Sequence, residues 1–274
     1  MNTFSRSWDL ISESFQVIRK DKKLIVFPIL SGLAVLVVAA LYFVPLFQFG
    51  VFQQYKEAHH VEPSTYAWLF LWYCTNYFVI VFFSCALAAC AQIRFSGGEP
   101  TLGAGLGQAA AKLPSIMLWA VVASTVGLII RIIEDRSDWL GKLLSSLFGV
   151  AWAVATYLIV PVLVFEEAGV FGSIKRSSQL LRKTWGEQIT GGLGFGLPFM
   201  VLAIPGVLLA MVGRQQPALL ALAVLYFLTL FALMSAVRGI FAVALYRYAT
   251  NGEAPAGFSK VNLNGVFVAK ASRE

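Results

Sequence analysis

Charge is what this sequence has least of. Asp, Glu, Lys and Arg make up 13% of its 274 residues, about half the share of an ordinary soluble domain. The only aspartates are Asp9, Asp21, Asp135 and Asp138. No paired carboxylates therefore lie inside an apolar run. Histidine is scarcer still: His59 and His60 are adjacent in a polar stretch with Glu57 and Glu62. That excludes a haem held by two histidines between membrane spans. Neighbouring rings also point apart on a helix, and no third spaced ligand completes a zinc site. A solvated loop accounts for them. The three cysteines, Cys74, Cys85 and Cys90, share one apolar segment with no Cys-x-x-Cys. They read as small buried thiols, not a disulfide framework. Neither a Ser-His-Asp set nor an HExxH motif occurs. A hydrolase needs a nucleophile or metal with an activating base, so no enzyme, cofactor or metal is expected.

Apolar surface is what the chain has in excess. Hydrophobic residues make up 58% of it, and mean hydropathy is +0.75. One soluble core cannot hide that much, so lipid must cover it. The first 23 residues carry Arg6, Asp9, Glu13, Arg19, Lys20, Asp21, Lys22 and Lys23. They lack the short apolar core and small-residue cleavage site of a signal peptide. The first apolar run is therefore read as an anchor.

Six runs are long enough to cross the ~30 Å hydrocarbon layer at 1.5 Å per residue. They cover about 24–49, 66–93, 114–133, 143–165, 189–212 and 218–236, the last continuing as helix towards Tyr248. Trp68, Trp72, Tyr73 and Tyr77 mark an interfacial belt at the start of the second. Pro161 lies near the end of the fourth, and Glu166 and Glu167 stop it. The expected fold is all-α: a polytopic membrane protein of six transmembrane helices in three hairpins.

Each hairpin is preceded by a candidate interfacial helix on the cytoplasmic side. In 3–22, Phe4, Trp8, Ile11, Phe15 and Ile18 recur at helical spacing. In 171–187, Phe171, Ile174, Ser178, Leu181 and Trp185 form one stripe, with Lys175, Arg176, Gln179, Arg182 and Lys183 opposite. A basic amphipathic helix ending in Trp suits a membrane surface. Candidate lipid-headgroup contacts are Lys175, Arg176, Arg182, Lys183, Trp185, Trp8, Arg19 and Lys20. The middle copy, in the Gly- and Ala-rich 94–113, is weak. Its Gly103-x-Gly105-x-Gly107 has no Walker ending. Gly192-x-x-x-Gly196 reads as a close helix contact.

The two strong copies align without a gap as I-x-x-S-x-Q-aliphatic-aliphatic-R-K, from Ile11 to Lys20 and from Ile174 to Lys183. The exits match too: Arg94-Phe95-Ser96 corresponds to Arg247-Tyr248-Ala249. This gives one domain, 1–250, in pseudo-repeats 1–93, 94–168 and 169–250, followed by a cytoplasmic tail, 251–274. Of the 21 Lys and Arg, only Lys56, Arg131, Arg136, Lys142 and Arg214 fall on the far side of six spans. The positive-inside rule then puts both termini in the cytoplasm of a bacterial inner membrane.

Arg238 stands out within the sixth run. Charges inside a membrane are functional candidates by default, whereas snorkelling to the inner interface is the structural alternative. If buried, it would pair with Glu166 or Glu167. Asn76, in the second span, is expected to bond a neighbouring helix.

The segment from Ser5 to Gly32, S-R-S-W-D-L…R-K-D-K-K-L-I-V-F-P-I-L-S-G, resembles the opening of a family of uncharacterised six-span bacterial membrane proteins. The segment from Pro161 to Gly186 resembles the same family. It is also loosely similar to the membrane domain attached to some glycerophosphodiester phosphodiesterases. Their chemistry sits in a separate metal-binding barrel not found in this sequence, so the resemblance implies no catalytic residue. Two functional readings remain. The leading one is a non-enzymatic membrane-organising or partner-binding scaffold that engages anionic lipid headgroups, alone or with a protein partner or a second copy, and no nucleic acid. The alternative is a transporter or lipid-handling carrier with Arg238 and Asn76 facing a cavity. A polar mid-membrane cavity reaching Arg238 favours the carrier; a sealed small-residue bundle favours the scaffold.

Overall fold

A computed structural model describes residues 3–48, 63–136, 138–185 and 196–252, with 254, 255, 257 and 258. Regular structure among them is entirely helical. Helix α1, Thr3–Lys20, ends on Arg19 and Lys20, the charge sign that its C-terminal dipole favours. The carboxylate of Asp21 then accepts from the Lys23 amide at 3.3 Å. That cap starts a 3-10 turn, Lys22–Ile25, which feeds α2, Val26–Gln48. Among the described side chains of α1, 11–20, the buried ones are Ser14, Val17 and Ile18, whereas Phe15 points outward. Contact with the last long helix sets that rotation, so the predicted apolar stripe is only partly the packed face.

Helix α3, Pro63–Phe95, is the hub. It packs against α2, then against α4 (Leu102–Ala111), α5 (Leu113–Arg136), α7 (Ile159–Phe165) and α10 (Pro217–Asn251). The reason is its composition from Cys85 to Ala91, where every residue is buried and all but Leu87 are Ala or Cys. Small side chains let neighbours approach on every side. Gly105 on α4 meets this stretch so closely that a Cβ there would lie 2.6 Å from Cys90 Sγ and 2.8 Å from the Ala86 carbonyl oxygen. All three cysteines are free.

Among the described residues, five helical stretches are long and apolar enough to cross a membrane: Lys22–Val44, Ala67–Phe95, Leu113–Glu134, Trp139–Phe165 and Pro217–Asn251. The fold is thus that of a multi-pass membrane protein. One expectation needs correction. The fourth run is not one helix: α6, Trp139–Ala155, stops, and α7 begins at Ile159. Pro161 explains the break. It has no N–H to give, and its ring opposes the carbonyl of the residue four before it, Tyr157. The fifth run appears only as α9, Gly196–Val212, 17 residues long, or about 26 Å. Its expected beginning, including Gly191 and Gly192, lies outside the described residues, as do His59 and His60.

Helix α8, Gly169–Trp185, follows α7 and touches α5, α6, α7 and α10. Helix α10 starts on Pro217 and ends at Gly252 in the left-handed region (φ +72°), where glycine carries no Cβ penalty. Helices α3 and α10 run parallel. Leu87 lies against Gly239, and Arg247 donates to Ser96 Oγ at 3.3 Å. Helix α9 runs back along α10, with Gly206 against Tyr226 and Phe227, and Gly213 against Leu219 and Leu220. The predicted tail begins as packed chain: Phe258 is buried against Phe95, with ring centroids 5.9 Å apart.

Candidate functional site: a basic junction and an arginine cleft

Two polar features lie where α3, α7, α8 and α10 meet. The first is built on Glu166, the residue that ends α7. Arg176 Nε on α8 donates to both of its carboxylate oxygens at 3.0 Å. The Tyr246 hydroxyl on α10 donates to Oε1 at 3.0 Å. Lys112 Nζ, at the end of α4, donates to the Glu166 carbonyl at 3.4 Å. One glutamate thus ties four elements. The pair is partly wet, with side-chain exposures of 42% for Arg176 and 22% for Glu166, so its Coulomb energy is screened. Arg238 is exposed, so the burial under which it would pair with Glu166 or Glu167 is not met. Glu167 is exposed.

The same junction reorients α8. Phe171, placed on the apolar stripe by its spacing, is 72% exposed. Ser173 and Ser177 are buried instead, beside Val170, Leu180 and Leu181. Serine is small enough to let α8 approach the α6–α7 break. Ser177 Oγ accepts there from the Leu158 amide at 3.1 Å, an N–H freed by the end of α6. The signal was present in the sequence as two serines four residues apart, but larger apolar neighbours outweighed it. Arg176 is drawn into the junction, whereas Lys175 and Arg182 stay exposed, as do Arg19 and Lys20 on α1. The side chains of Lys183, Trp185 and Trp8 lie outside the described residues. Asn76 Nδ2 donates to the Trp72 carbonyl of its own helix at 2.8 Å, not to a neighbour.

The second feature is a cleft of about 510 Å³. One wall is α10, from Phe231 through Met234, Ser235 and Arg238 to Ala242. Ser84 and Leu87 of α3 form another, and Tyr157, Val160 and Pro161 at the α6–α7 break form a third. Phe199 of α9 closes it. Asn76 is not in its lining; it lies eight residues before Ser84, about 12 Å away along α3. Arg238 is the one charged residue of the lining, and it is exposed.

Length bears on the depth of Arg238. The stretch Pro217–Val237 carries no charge and is 21 residues long, about 31 Å, which crosses the hydrocarbon layer by itself. With that stretch alone across the layer, Arg238 would sit at one boundary, on the side of Glu166 and Arg247. There its side chain would escape most of the ~2.5–3.5 kcal/mol that a mid-bilayer position costs on insertion scales. On that placement the cleft runs from the boundary into the layer, with Ser84 and Tyr157 on its walls. Its axis along α10 runs about 16 Å, from Phe231 to Ala242, and goes from aromatic to cationic.

The family model for a family of unknown function (DUF6159) matches residues 64–258, and the chain belongs to that family. The match takes in α3 through Phe258 and the Pro161–Gly186 signature, and leaves α1, α2 and the Ser5–Gly32 signature outside it. No curated protein and no solved structure matches the chain.

Proposed function

We propose that this member of a family of unknown function is a non-enzymatic, lipid-handling protein of the bacterial inner membrane. The observation that carries the reading is the cleft, which joins an exposed guanidinium to an apolar trough between helices. A closed scaffold has no use for such a space. The looser likeness to the membrane domain of glycerophosphodiester phosphodiesterases brings no residue to it.

The reading takes the chain to cross six times, α9 included. The parallel run of α3 and α10 supports this. With α5 and α6–α7 as two crossings between them, a third is needed for α10 to share the direction of α3. The termini then lie on one side, which charge assigns to the cytoplasm. Exposed Arg19, Lys20, Lys22, Lys23, Lys175 and Arg182 would face the anionic leaflet, each worth about 1 kcal/mol near its surface.

Purification in a gentle detergent, followed by mass spectrometry of bound lipid and protein, tests the reading. We expect a lipid-like molecule near one per chain, reduced in Met234→Trp, which fills the trough. A stoichiometric protein partner with no retained lipid would instead support the scaffold reading. The small-residue packing of α3 against α4 is the observation in that reading's favour.

A further inference from the structure

The cleft has a polarity as well as a volume. Phe231 and Phe199 line one end, Met234 follows one turn on, and Arg238 comes one turn later. The hydroxyl-bearing residues Ser84, Tyr157 and Ser235 belong to the same lining. Among the described residues no carboxylate lines the cleft, and the nearby Glu166 is taken up by Arg176 and Tyr246. The guanidinium therefore brings a full positive charge to the site and leaves its neutralisation to whatever enters.

We propose that the cleft is a binding site for a phosphate-bearing lipid of the inner leaflet, with the phosphate on Arg238 and an acyl chain along Met234 towards Phe231. This rests on the lipid-handling reading and adds a headgroup charge and a direction to it. Three features fit. Guanidinium is the side chain best shaped to hold a phosphate through two N–H donors. With Pro217–Val237 filling the layer, Arg238 would lie near the depth of phospholipid phosphates. The apolar end of the cleft then points into the hydrocarbon layer, so a chain follows its headgroup without turning. A carrier for a soluble anion would gain nothing from an aromatic end open to acyl chains.

The test uses the full-length protein in detergent. Binding is measured for short-chain phosphatidylglycerol, for a neutral diacylglycerol of equal chain length, and for inorganic phosphate. The anionic lipid should bind best. Arg238→Gln should weaken it about tenfold or more and leave the diacylglycerol unchanged, while Arg238→Lys should restore part of the loss. A thermal melt checks that both variants fold. Equal binding of the two lipids by the parent protein, or an unaffected Arg238→Gln, overturns the headgroup assignment but leaves lipid handling standing. Inorganic phosphate binding as tightly as the lipid overturns the lipid source. Failure to bind either lipid overturns the proposal together with the reading beneath it.

Discussion

Ser177 shows how one small residue can decide the placement of a helix. Its hydroxyl receives the Leu158 N–H, and both groups are buried. Removing the acceptor would strand that donor at a cost of about 1–3 kcal/mol. Ser177→Ala should therefore lower stability by that amount in a denaturant or thermal titration. Ser178→Ala, next to it, should change stability by less than about 0.5 kcal/mol, because Ser178 only bonds back to the Lys175 carbonyl of its own turn. Equal effects would mean that α8 is not docked through Ser177. None of this could be read from residue type alone. A serine between basic residues looks solvated, and only the α6–α7 break supplies the donor that makes it structural. Glu166 is similar: its position as a stop was legible, but its choice of Arg176 over Arg238 depends on how α8 crosses α7.

At the scale of elements, the long apolar runs were legible because hydropathy and length settle them without tertiary detail. Helices α2, α3, α5 and α10 fall close to their expected positions. What failed was continuity and rotation. Pro161 was visible near the end of the fourth run, but the run reads as one apolar span in hydropathy, and the division into α6 and α7 does not show there. The faces of α1 and α8 turned because interior contacts with serines and valines took precedence over the largest apolar side chains. Helix α9 carries the sharpest test at this scale. A topology reporter inserted after Arg214 should lie outside the cytoplasm, and one fused after Glu274 inside it. The reverse result, a reporter inside after Arg214 and outside after Glu274, would mean that α9 does not cross, and the parity argument from parallel α3 and α10 would fail.

Taken whole, the molecule combines a sealed part and an open part. Where α3 meets α4, the alanines and Gly105 pack too closely for a ligand. Between α10, the helix break and α9 the packing opens beside Arg238. The residue was singled out in the sequence because charge is so rare there, but the cleft was not legible. It arises from four segments distant in the chain, and Ser84, Tyr157 and Phe199 carry no motif. Asn76, the other polar residue expected in a cavity, is kept by its own helix. The central claim is that lipid occupies this cleft with its chain towards Phe231. It is tested most directly with a phosphatidylglycerol carrying a photoactivatable group near the end of its acyl chain. The lipid is added at one per chain, activated, and its attachment mapped by peptide mass spectrometry. The account predicts labelling concentrated on Phe231, Met234 and Phe199. Labelling spread over the outward faces of α2 and α6, with those three residues spared, would contradict it.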